Sequence, residues 1–286
     1  MPKVLILGSH GMLGQELVHE FSAHQYEVVG WDKEDLDITD FIVTATKISD
    51  LHPDIVINAV AYNALDKIEE DNSAFELAKN INGEAVGNLA GICKEINSVF
   101  VHYSSDNVFK GDKQQGYKED DQLDPINKYG ETKAIGEKQL LDIDGKFYLI
   151  RLSKLFGKPA TSVGAKKSFV DIMIYLATEG GKTHLDLVDE EIGCVTYAPD
   201  LSKLTRTIIE GGRPFGIYHG SNSGVSSWYE WAKEIFKIKK ININITPVTG
   251  DKFPRPAKRP MYSELLNTKL PPQRNWKEAL NEYLTK

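Results

Sequence analysis

The sequence predicts an α/β fold: a Rossmann-like, doubly wound parallel sheet with a smaller α/β lid. Short apolar runs rich in β-branched or aromatic residues alternate with segments of helical period through the first half of the chain, which is typical of a parallel sheet covered by crossover helices. The first run leads directly into a glycine-rich turn. No internal repeat is visible, which argues against a solenoid or a propeller.

Length and composition bound the class of protein. The chain has 286 residues, enough for about two domains. Its 34 Lys and Arg and 41 Asp and Glu give a net charge of -7, which argues against nucleic acid as a partner, because nucleic-acid binders concentrate positive charge. Cys93 and Cys194 match no zinc spacing, which fits a reducing cytoplasm. No apolar run is long enough to cross a membrane, so we expect no membrane contact.

The elements of the first half can be placed from apolar period and turn residues. The predicted strands are Val4 to Leu7, Glu27 to Trp31, Ile55 to Ala59, Val99 to Ser104 and Phe147 to Leu152. Two predicted helices each present one apolar face, made by Leu13, Leu17 and Phe21 in the first and by Leu77, Ile81, Ala85, Leu89 and Cys93 in the second. On the second helix, Gly83, Gly87 and Gly91 recur every four residues, and we expect this bare stripe to let a neighbouring backbone approach closely.

After about residue 157 the pattern changes to a smaller unit. Helices are predicted near Lys166 to Thr178, from Pro199 to Glu210, from Ser227 to Phe236 and from Trp276 to Leu284, with strands near Leu185 to Val188 and at Gly216 to His219. We therefore expect a dinucleotide-binding domain over residues 1–156, with return segments at about 191–225. Residues 157–190 and 226–286 would form the substrate-binding lid.

The glycine turn is the first candidate binding site. Gly8, Gly11 and Gly14 form a G-x-x-G-x-x-G pattern between a predicted strand and a predicted helix. Such glycines permit a tight turn and let backbone amides approach a diphosphate at the helix N-terminus. The alternative is a tight turn with no ligand.

An acidic residue follows the second predicted strand. Asp32 stands where a carboxylate can accept hydrogen bonds from the ribose of NAD, whereas the adjacent Lys33 could pair with the 2'-phosphate of NADP. The choice between the two cofactors stays open, and Asp32 could instead be a solvated loop acid.

A phenol and an amine form the candidate catalytic pair. Tyr129 and Lys133 are four residues apart, on one face of a predicted helix. Ser105 follows the fourth predicted strand at the sheet edge where ligands bind. A ketone that accepts hydride needs a proton donor beside its oxygen; Tyr129 can supply it, and the Lys133 ammonium is expected to lower the phenol pKa towards neutrality. A second pair, Tyr229 and Lys233, lies in an aromatic run that core packing explains better.

The chain resembles the extended short-chain dehydrogenase/reductase family, and within it the dTDP-4-dehydrorhamnose reductases, over nearly its whole length. The motifs that carry the resemblance are the glycine turn, Leu36 to Asp40, Asn58 to Tyr62 with Asp66 and Lys67, Ser104 to Asp106, Tyr129 with Lys133, Arg151 to Ser153, Gly216 to His219, Ser227 to Tyr229, Arg259 and Pro260 with Ser263, and Asn267 to Leu270.

The resemblance implies a role for each matching residue. Tyr129 would donate the proton, Lys133 would hold the nicotinamide ribose, and Ser105 would contact the carbonyl, while hydride passes from NADPH or NADH to C4 of a nucleotide-linked 4-keto-6-deoxy sugar. The residues expected to bind the cofactor are Gly8, His10, Gly11, Met12, Leu13, Gly14, Asp32, Lys33, Asp37, Ile38, Asn58, Ala59, Val60, Ala61, Tyr62 and Ser104. Those expected to bind the substrate are Asp106, Asn107, Lys154 and Arg259. The resemblance also allows a homodimer.

The chain departs from the family pattern mainly near the substrate end. Lys154 replaces a tryptophan, Asn107 a tyrosine, Lys110 an aspartate, Glu190 and Glu191 an Asp-Gln pair, and Val195 a proline. A different nucleotide sugar or acyl carrier therefore stays open as the substrate. The alternatives for function are another nucleotide-sugar reductase or epimerase of the family, or a regulatory subunit resembling that of methionine adenosyltransferase. The intact set of Ser105, Tyr129 and Lys133 favours an enzyme.

Basic and metal-ligating residues give weaker signals. Lys252, Arg255, Lys258 and Arg259 could grip a diphosphate or could line a solvated loop. His19, Glu20 and His24 miss the zinc-protease spacing, and Asp35, Asp37 and Asp40 lack the rest of a calcium loop. We expect no metal site of the chain's own, although some family members bridge subunits through magnesium.

Overall fold

The computed structural model describes residues 1–162 and 167–286. Up to residue 152 the elements are β1 (Lys3–Leu7), α1 (Met12–Ser22), β2 (Glu27–Trp31), α2 (Phe41–Leu51), β3 (Ile55–Asn58), α3 (Leu65–Glu70), α4 (Asn72–Lys79), a π-helical turn (Asn80–Glu84), α5 (Ala85–Glu95), β4 (Val99–Ser105), a 3-10 turn (Asp106–Val108), α6 (Lys128–Leu141) and β5 (Phe147–Leu152). The remaining elements are β6 (Leu155–Phe156), α7 (Phe169–Ala177), β7 (His184–Val188), β8 (Ile192–Cys194), β9 (Thr196–Tyr197), α8 (Ala198–Glu210), β10 (Gly216–His219), β11 (Val225–Ser226), α9 (Trp228–Lys239), β12 (Asn244–Val248), a second 3-10 turn (Gly250–Lys252), β13 (Tyr262–Ser263) and α10 (Trp276–Thr285).

Six parallel strands form the main sheet in the order β10-β5-β4-β3-β1-β2. The winding direction reverses between β1 and β3, where Leu7 is in register with Asn58. A crevice opens at such a point beside the carboxyl ends of the strands. The predicted α/β, doubly wound parallel sheet is confirmed. The chain returns from the predicted lid to add α8 and β10.

The two faces of the sheet are covered by different helices because successive strand residues point to opposite sides. Val4 and Ile6 of β1 pack with α1 and α8, through residues such as Leu17. Leu5 and Leu7 pack on the other face, against a cluster that takes in α2 and α5. Full burial of each such aliphatic side chain stabilises the folded state by about 1.5–3 kcal/mol.

A third core lies among α7, α9 and α10. Trp231 is 1% exposed and Trp276 is 2% exposed, so the aromatic run that begins at Trp228 packs as predicted. Ser168 and Ser227 start α7 and α9 with capping boxes. The helix predicted near Lys166 begins at Phe169, and Lys166 itself lies outside the described residues. The boundaries between the two predicted domains stay a prediction.

Because of the π-helical turn, one predicted apolar helix face is wrong. It joins α4 to α5 and inserts one extra residue per turn, so residues before and after it no longer share the face that a regular period predicts. Leu77, placed in the buried stripe, is 44% exposed, whereas Ala74 and Ala78 are buried.

No helix in the described ranges is both long and apolar enough to span a membrane.

The predicted glycine stripe is closely approached at two of its three positions, but by side chains rather than by a backbone. A Cβ on Gly83 would lie 2.9 Å from Ile135, and one on Gly87 would lie 2.3 Å from Gln139, both on α6. A Cβ on Gly91 would meet nothing within 4 Å among the described residues, so the prediction is wrong there. The close backbone approach between these helices involves a glycine of α6 instead, because a Cβ on Gly136 would lie 2.2 Å from the Asn82 carbonyl oxygen.

Candidate active site

The glycine turn forms a tight cradle at the start of α1 in which side chains would clash with the surrounding backbone. Gly8 adopts φ +77° and its carbonyl accepts a 3.0 Å hydrogen bond from the Gly11 amide. A Cβ on Gly14 would lie only 1.9 Å from the Gly8 oxygen, so α1 packs directly on the turn. No side chain in the described part of the chain caps the amides where α1 begins, at Met12. These amides and the positive end of the helix dipole suit an anionic group.

Asp32 closes one side of this cradle. Its carboxylate accepts hydrogen bonds from the backbone amides of His10, at 2.9 Å, and Lys33, at 2.8 Å. The Lys33 side chain is exposed beside it. His10, Asp32 and Glu34 each bring one potential metal-ligand atom within 4.8 Å of the others, but this group lies at the mouth of the glycine turn and belongs to the same site.

Asp37 and Ile38, two of the residues expected to bind the cofactor, differ in their surroundings. Asp37 is exposed, and hydrogen bonds from Thr39, of which the side-chain bond is the larger cause, lower the pKa of its carboxyl group. Ile38 is 4% exposed and packs in the core beside Leu36. Asp37 therefore presents its carboxylate to solvent at the β2 side of the crevice, while Ile38 anchors the loop.

The segment after β3 lies against the glycine turn. The Ala59 amide donates to the Leu7 carbonyl at 3.0 Å, and a Cβ on Gly8 would lie 3.2 Å from Ala59 and Val60. The predicted cleft residues Asn58, Ala59, Val60, Ala61 and Tyr62 thus follow the crevice where the sheet reverses.

Asn82, which our sequence analysis missed, fixes the end of this segment. Its amide accepts from the Tyr62 backbone and donates back to the Tyr62 carbonyl, both at 2.9 Å, and also donates to the Thr132 hydroxyl at 3.0 Å. It is fully buried on the π-helical turn. The sequence gives no signal for this role, because Asn82 lies in the polar run Lys79 to Glu84.

Ser105 and Tyr129 meet at the carboxyl end of β4. They are 8% and 9% exposed, respectively. Burial raises the pKa of the Tyr129 phenol to about 12, with hydrogen bonding to Ser105 opposing the shift and the nearby Asp106 charge adding to it. At neutral pH the phenol therefore keeps its proton. The adjacent Ser104 hydroxyl is buried and has no partner among the described residues.

Lys133 lies one helical turn beyond Tyr129 and is 1% exposed. Its Nζ donates to the Tyr103 carbonyl oxygen at 2.7 Å and lies 3.1 Å from Nε2 of His102. Burial lowers the pKa of Lys133 to about 8, and the charge of Glu137 opposes this shift.

The predicted lowering of the Tyr129 pKa by Lys133 is wrong for the protein without ligands. Burial of the phenol dominates, and the Lys133 amine is engaged by β4 rather than by the phenol. The arrangement is nevertheless suited to giving up a proton, because the phenol is protonated over the whole physiological range.

The four predicted substrate residues lie in three different settings. Asp106 is 5% exposed, and its Oδ2 accepts 2.7 Å hydrogen bonds from the hydroxyls of Ser153 and Ser263. Its Oδ1 accepts from Ser105 at 3.0 Å and from the Asn107 side chain at 3.1 Å. Asp106 therefore positions the serine, while Asn107 links this turn to Asn127 at 3.0 Å.

Lys154 and Arg259 are both engaged by other parts of the chain. Nζ of Lys154 donates to the carbonyl oxygens of Glu191, at 3.0 Å, and Ser226, at 2.6 Å, and burial lowers the pKa of Lys154 to about 8. One guanidinium nitrogen of Arg259, Nη2, donates to both carboxylate oxygens of Asp66, at 2.9 Å each.

Two other members of the basic cluster are paired. Arg255 forms an ion pair with Glu191, and Lys252 lies 2.7 Å from Asp186. These pairs account for two charges that were candidates to grip a diphosphate.

Comparison with known proteins relates the chain to one group. A family model described as RmlD substrate binding domain matches residues 2–286. The spore coat polysaccharide biosynthesis protein SpsK of Bacillus subtilis is 34% identical, over 99% of this chain and 97% of that protein. The crystal structure of a dTDP-4-dehydrorhamnose reductase from Clostridium acetobutylicum matches with a TM-score of 0.91 and 34% identity, covering 99% and 98% of the two chains. That of the Bacillus anthracis dTDP-4-dehydrorhamnose reductase, in complex with NADP, matches with a TM-score of 0.91 and 32% identity over 99% of each chain.

Proposed function

The chain belongs to the RmlD substrate binding domain family, and we propose that it is an NAD(P)H-dependent oxidoreductase that reduces the 4-keto group of a dTDP-linked 6-deoxy sugar. The observation that carries the proposal is the meeting of Ser105 and Tyr129 at the carboxyl end of β4, with Lys133 one helical turn beyond. This group lies at the same edge of the sheet as the glycine cradle, as a dinucleotide-dependent reductase requires.

The residues of the crevice fit a dinucleotide. The turn is packed so tightly that a Cβ on Gly14 would clash with the Gly8 carbonyl oxygen, and uncapped amides stand at the start of α1 beside it. The buried Ser104 hydroxyl lacks a partner within the described residues and can bond a polar group in the crevice. The cofactor, when bound, would supply the hydride for the sugar C4.

Side chains of the protein supply the proton and stabilise the charge that the reaction creates. Addition of hydride to C4 leaves negative charge on the carbonyl oxygen, and the Tyr129 phenol donates its proton there. The Ser105 hydroxyl donates a hydrogen bond to the same oxygen and polarises it. In the protein without ligands the single Ser105 hydroxyl proton is donated to Asp106 at 3.0 Å, and it would turn to the carbonyl oxygen when the sugar binds. Lys133, with donors left beyond its bond to Tyr103, would bond the nicotinamide ribose.

The geometry around Asp32 accommodates either cofactor. Its carboxylate can accept from an adenosine ribose, and the exposed Lys33 can pair with a 2'-phosphate. We therefore propose NADP or NAD, with Asp32 and Lys33 as the pair that sets the preference.

The identity of the sugar rests on the relatives, whose names specify dTDP-4-dehydrorhamnose. We propose that Asn107, Lys154 and Arg259 shape the substrate end and that Lys154, which replaces a family tryptophan, distinguishes this chain's sugar preference. Buried free thiols at Cys93 and Cys194 support a reducing, cytoplasmic location. A homodimer stays a prediction from the resemblance.

The test is an assay of NADPH and NADH oxidation with a panel of nucleotide 4-keto sugars, for the native protein and for Tyr129→Phe. We expect the substitution to lower kcat by about 10²-fold or more with nearly unchanged cofactor affinity, because only the transferred proton is removed. Tyr229→Phe changes the tyrosine of the second Tyr and Lys pair, which we assign to core packing. It is the matched control and should retain the native rate. Equal rates for the native protein and Tyr129→Phe would refute the assigned proton donor.

A further inference from the structure

The Asn107 side chain turns back onto the two residues that precede it. Its Nδ2 donates to the Ser105 Oγ at 3.3 Å and to the Asp106 Oδ1 at 3.1 Å. The Asn107 backbone amide also donates to the Ser105 Oγ, at 3.2 Å. Asn107 therefore directs both its side-chain and its backbone N–H groups into the turn that holds the proposed carbonyl contact.

The orientation of this amide is fixed through a second one, that of Asn127. The Asn127 Oδ1 accepts from the Gly130 backbone N–H at 2.8 Å, and its Nδ2 donates to the Lys258 carbonyl oxygen at 2.9 Å. The same Nδ2 donates to the Asn107 Oδ1 at 3.0 Å, which leaves the Asn107 Nδ2 directed at the turn. Reversing either amide would set two donors or two acceptors against each other.

The two amides join the turn of Ser105 to the helix of Tyr129. Asn127 is the N-cap of α6, two residues before Tyr129, and is 5% exposed. A Cβ on Gly130 would lie 2.1 Å from the Asn107 carbonyl oxygen, so the start of α6 also packs directly on the turn. The distance between the two groups that would meet the sugar carbonyl is therefore set by contacts of Asn107 and Asn127.

Asn107 also limits what the Ser105 hydroxyl can do. A hydroxyl has two lone pairs and one proton, and the backbone and side-chain N–H groups of Asn107 occupy both lone pairs. The hydroxyl is thus left as a donor, and in the protein without ligands its proton goes to Asp106. A donor is what a carbonyl oxygen that gains negative charge requires.

The same side chain allows Asp106 to release this proton. When the Ser105 hydroxyl turns to a sugar carbonyl, the Asp106 Oδ1 keeps its 3.1 Å hydrogen bond from Asn107. The Asp106 Oδ2 keeps those from Ser153 and Ser263. Both buried oxygens retain a donor, which matters because a buried carboxylate oxygen that loses its donors costs free energy.

We propose that Asn107 is a positioning residue for the reduction, an inference that rests on the function proposed above. Asn107 keeps Ser105 a hydrogen-bond donor and lets its proton move from Asp106 to the sugar carbonyl. Asn127 holds Asn107 in place beside the helix of Tyr129. Asn107 stands where the family pattern has a tyrosine, so it is not among the matching residues that led to the proposed function.

The hydrogen bond between the two amides can be tested without substrate. Asn127→Ser keeps a side chain that can cap α6 but is too short to reach Asn107, and Asn107→Ala removes the partner. In urea unfolding, the double variant should lose less stability than the sum of the two single losses. Additive losses would overturn the link. Because no sugar is involved, this result is independent of the reductase function.

The kinetic test asks whether Asn107 acts through Ser105. Asn107→Ala should lower kcat about 10-fold with an unchanged dissociation constant for NADPH or NADH, because only the hydroxyl is misplaced. In a Ser105→Ala background the same substitution should lower kcat no further, since no hydroxyl is left to position. An equal further loss in that background would show a structural role and overturn the inference.

Two further variants keep the test decisive. Asn127→Ser should lower kcat about threefold or more, whereas Asn275→Ser, which changes the asparagine N-cap of α10, should retain the native rate. Asn107→Leu has the shape of the amide without its donors and serves if Asn107→Ala does not fold. A native protein inactive on every nucleotide 4-keto sugar would refute the function and this role together, whereas full activity of Asn107→Ala would refute the role alone.

Discussion

The hydroxyl of Ser263 donates a 2.7 Å hydrogen bond to Asp106, a residue 157 positions earlier in the chain. The same Asp106 oxygen accepts from Ser153 at 2.7 Å, so one buried carboxylate joins the end of β4, the end of β5 and β13. Ser105 hydrogen-bonds the other oxygen of this carboxylate. The orientation of the proposed carbonyl contact therefore depends on a residue far along the chain.

Asp106→Ala should cost about 3 kcal/mol of unfolding free energy, because it leaves buried hydroxyls without their charged acceptor. It should also reduce kcat by releasing Ser105. Ser263→Ala removes one of these bonds and should cost about 1 kcal/mol. Urea unfolding of both variants measures the difference, and equal losses would contradict a central role for the carboxylate.

Two glycines, Gly14 and Gly91, should respond to alanine in opposite ways. Gly14→Ala places a methyl group against the Gly8 carbonyl oxygen, and we expect a loss of about 3 kcal/mol or more together with loss of NADPH binding. Gly91→Ala meets open space on α5 and should stabilise the protein by about 0.5–1 kcal/mol through helix propensity. Thermal unfolding and cofactor titration test the pair. A stable, cofactor-binding Gly14→Ala would refute the tight-cradle account.

Lys133 should lower stability at neutral pH. Its pKa falls from 10.5 to about 8 on folding, so between these values the unfolded chain binds more protons and stability rises with pH. Relative to Lys133→Met, the native protein should gain up to about 1.4 kcal/mol per pH unit above pH 8. Chemical unfolding at a series of pH values measures this. Lys138→Met, at an exposed position on the same helix, is the control, and parallel curves for the two variants would contradict the prediction.

The buried pair of Arg151 and Glu137 should show strong coupling. Their side chains are 2% and 0% exposed and lie 2.6 Å apart. Arg151→Met leaves a buried carboxylate without a partner and should cost about 3–5 kcal/mol. Adding Glu137→Met should recover much of that loss, since an apolar pair needs no compensation. A double-mutant cycle by urea unfolding tests this, and additive losses would show that the two residues act independently.

The sequence alone was enough to predict the sheet and the cradle. Strand candidates such as Glu27 to Trp31 and Phe147 to Leu152 match the observed bounds, because buried parallel strands are short, apolar and bounded by turns. The glycine spacing was equally informative, since the contact between Gly14 and Gly8 excludes any side chain. Local period and sterics suffice for features of this kind.

Other features depend on contacts that sequence spacing does not reveal. The π-helical turn leaves no mark in the apolar period, so Leu77 was placed on the wrong face. The direction of the Tyr129 shift follows from burial, which depends on the packing of α3 and α4 around the ring. Strands of two residues, such as β11 and β13, carry too few side chains to show a period.

The position of β10 has a consequence for the order in which the chain acquires its structure. β5 is flanked by β4 on one side and by β10 on the other, and β10 is synthesised only after the whole excursion through α7 and α8. A nascent chain that ends before Gly216 presents the unpaired hydrogen-bonding edge of Phe147–Leu152 to its surroundings, and such edges recruit other strands. This edge of the sheet therefore stays unpaired until β10 has been synthesised.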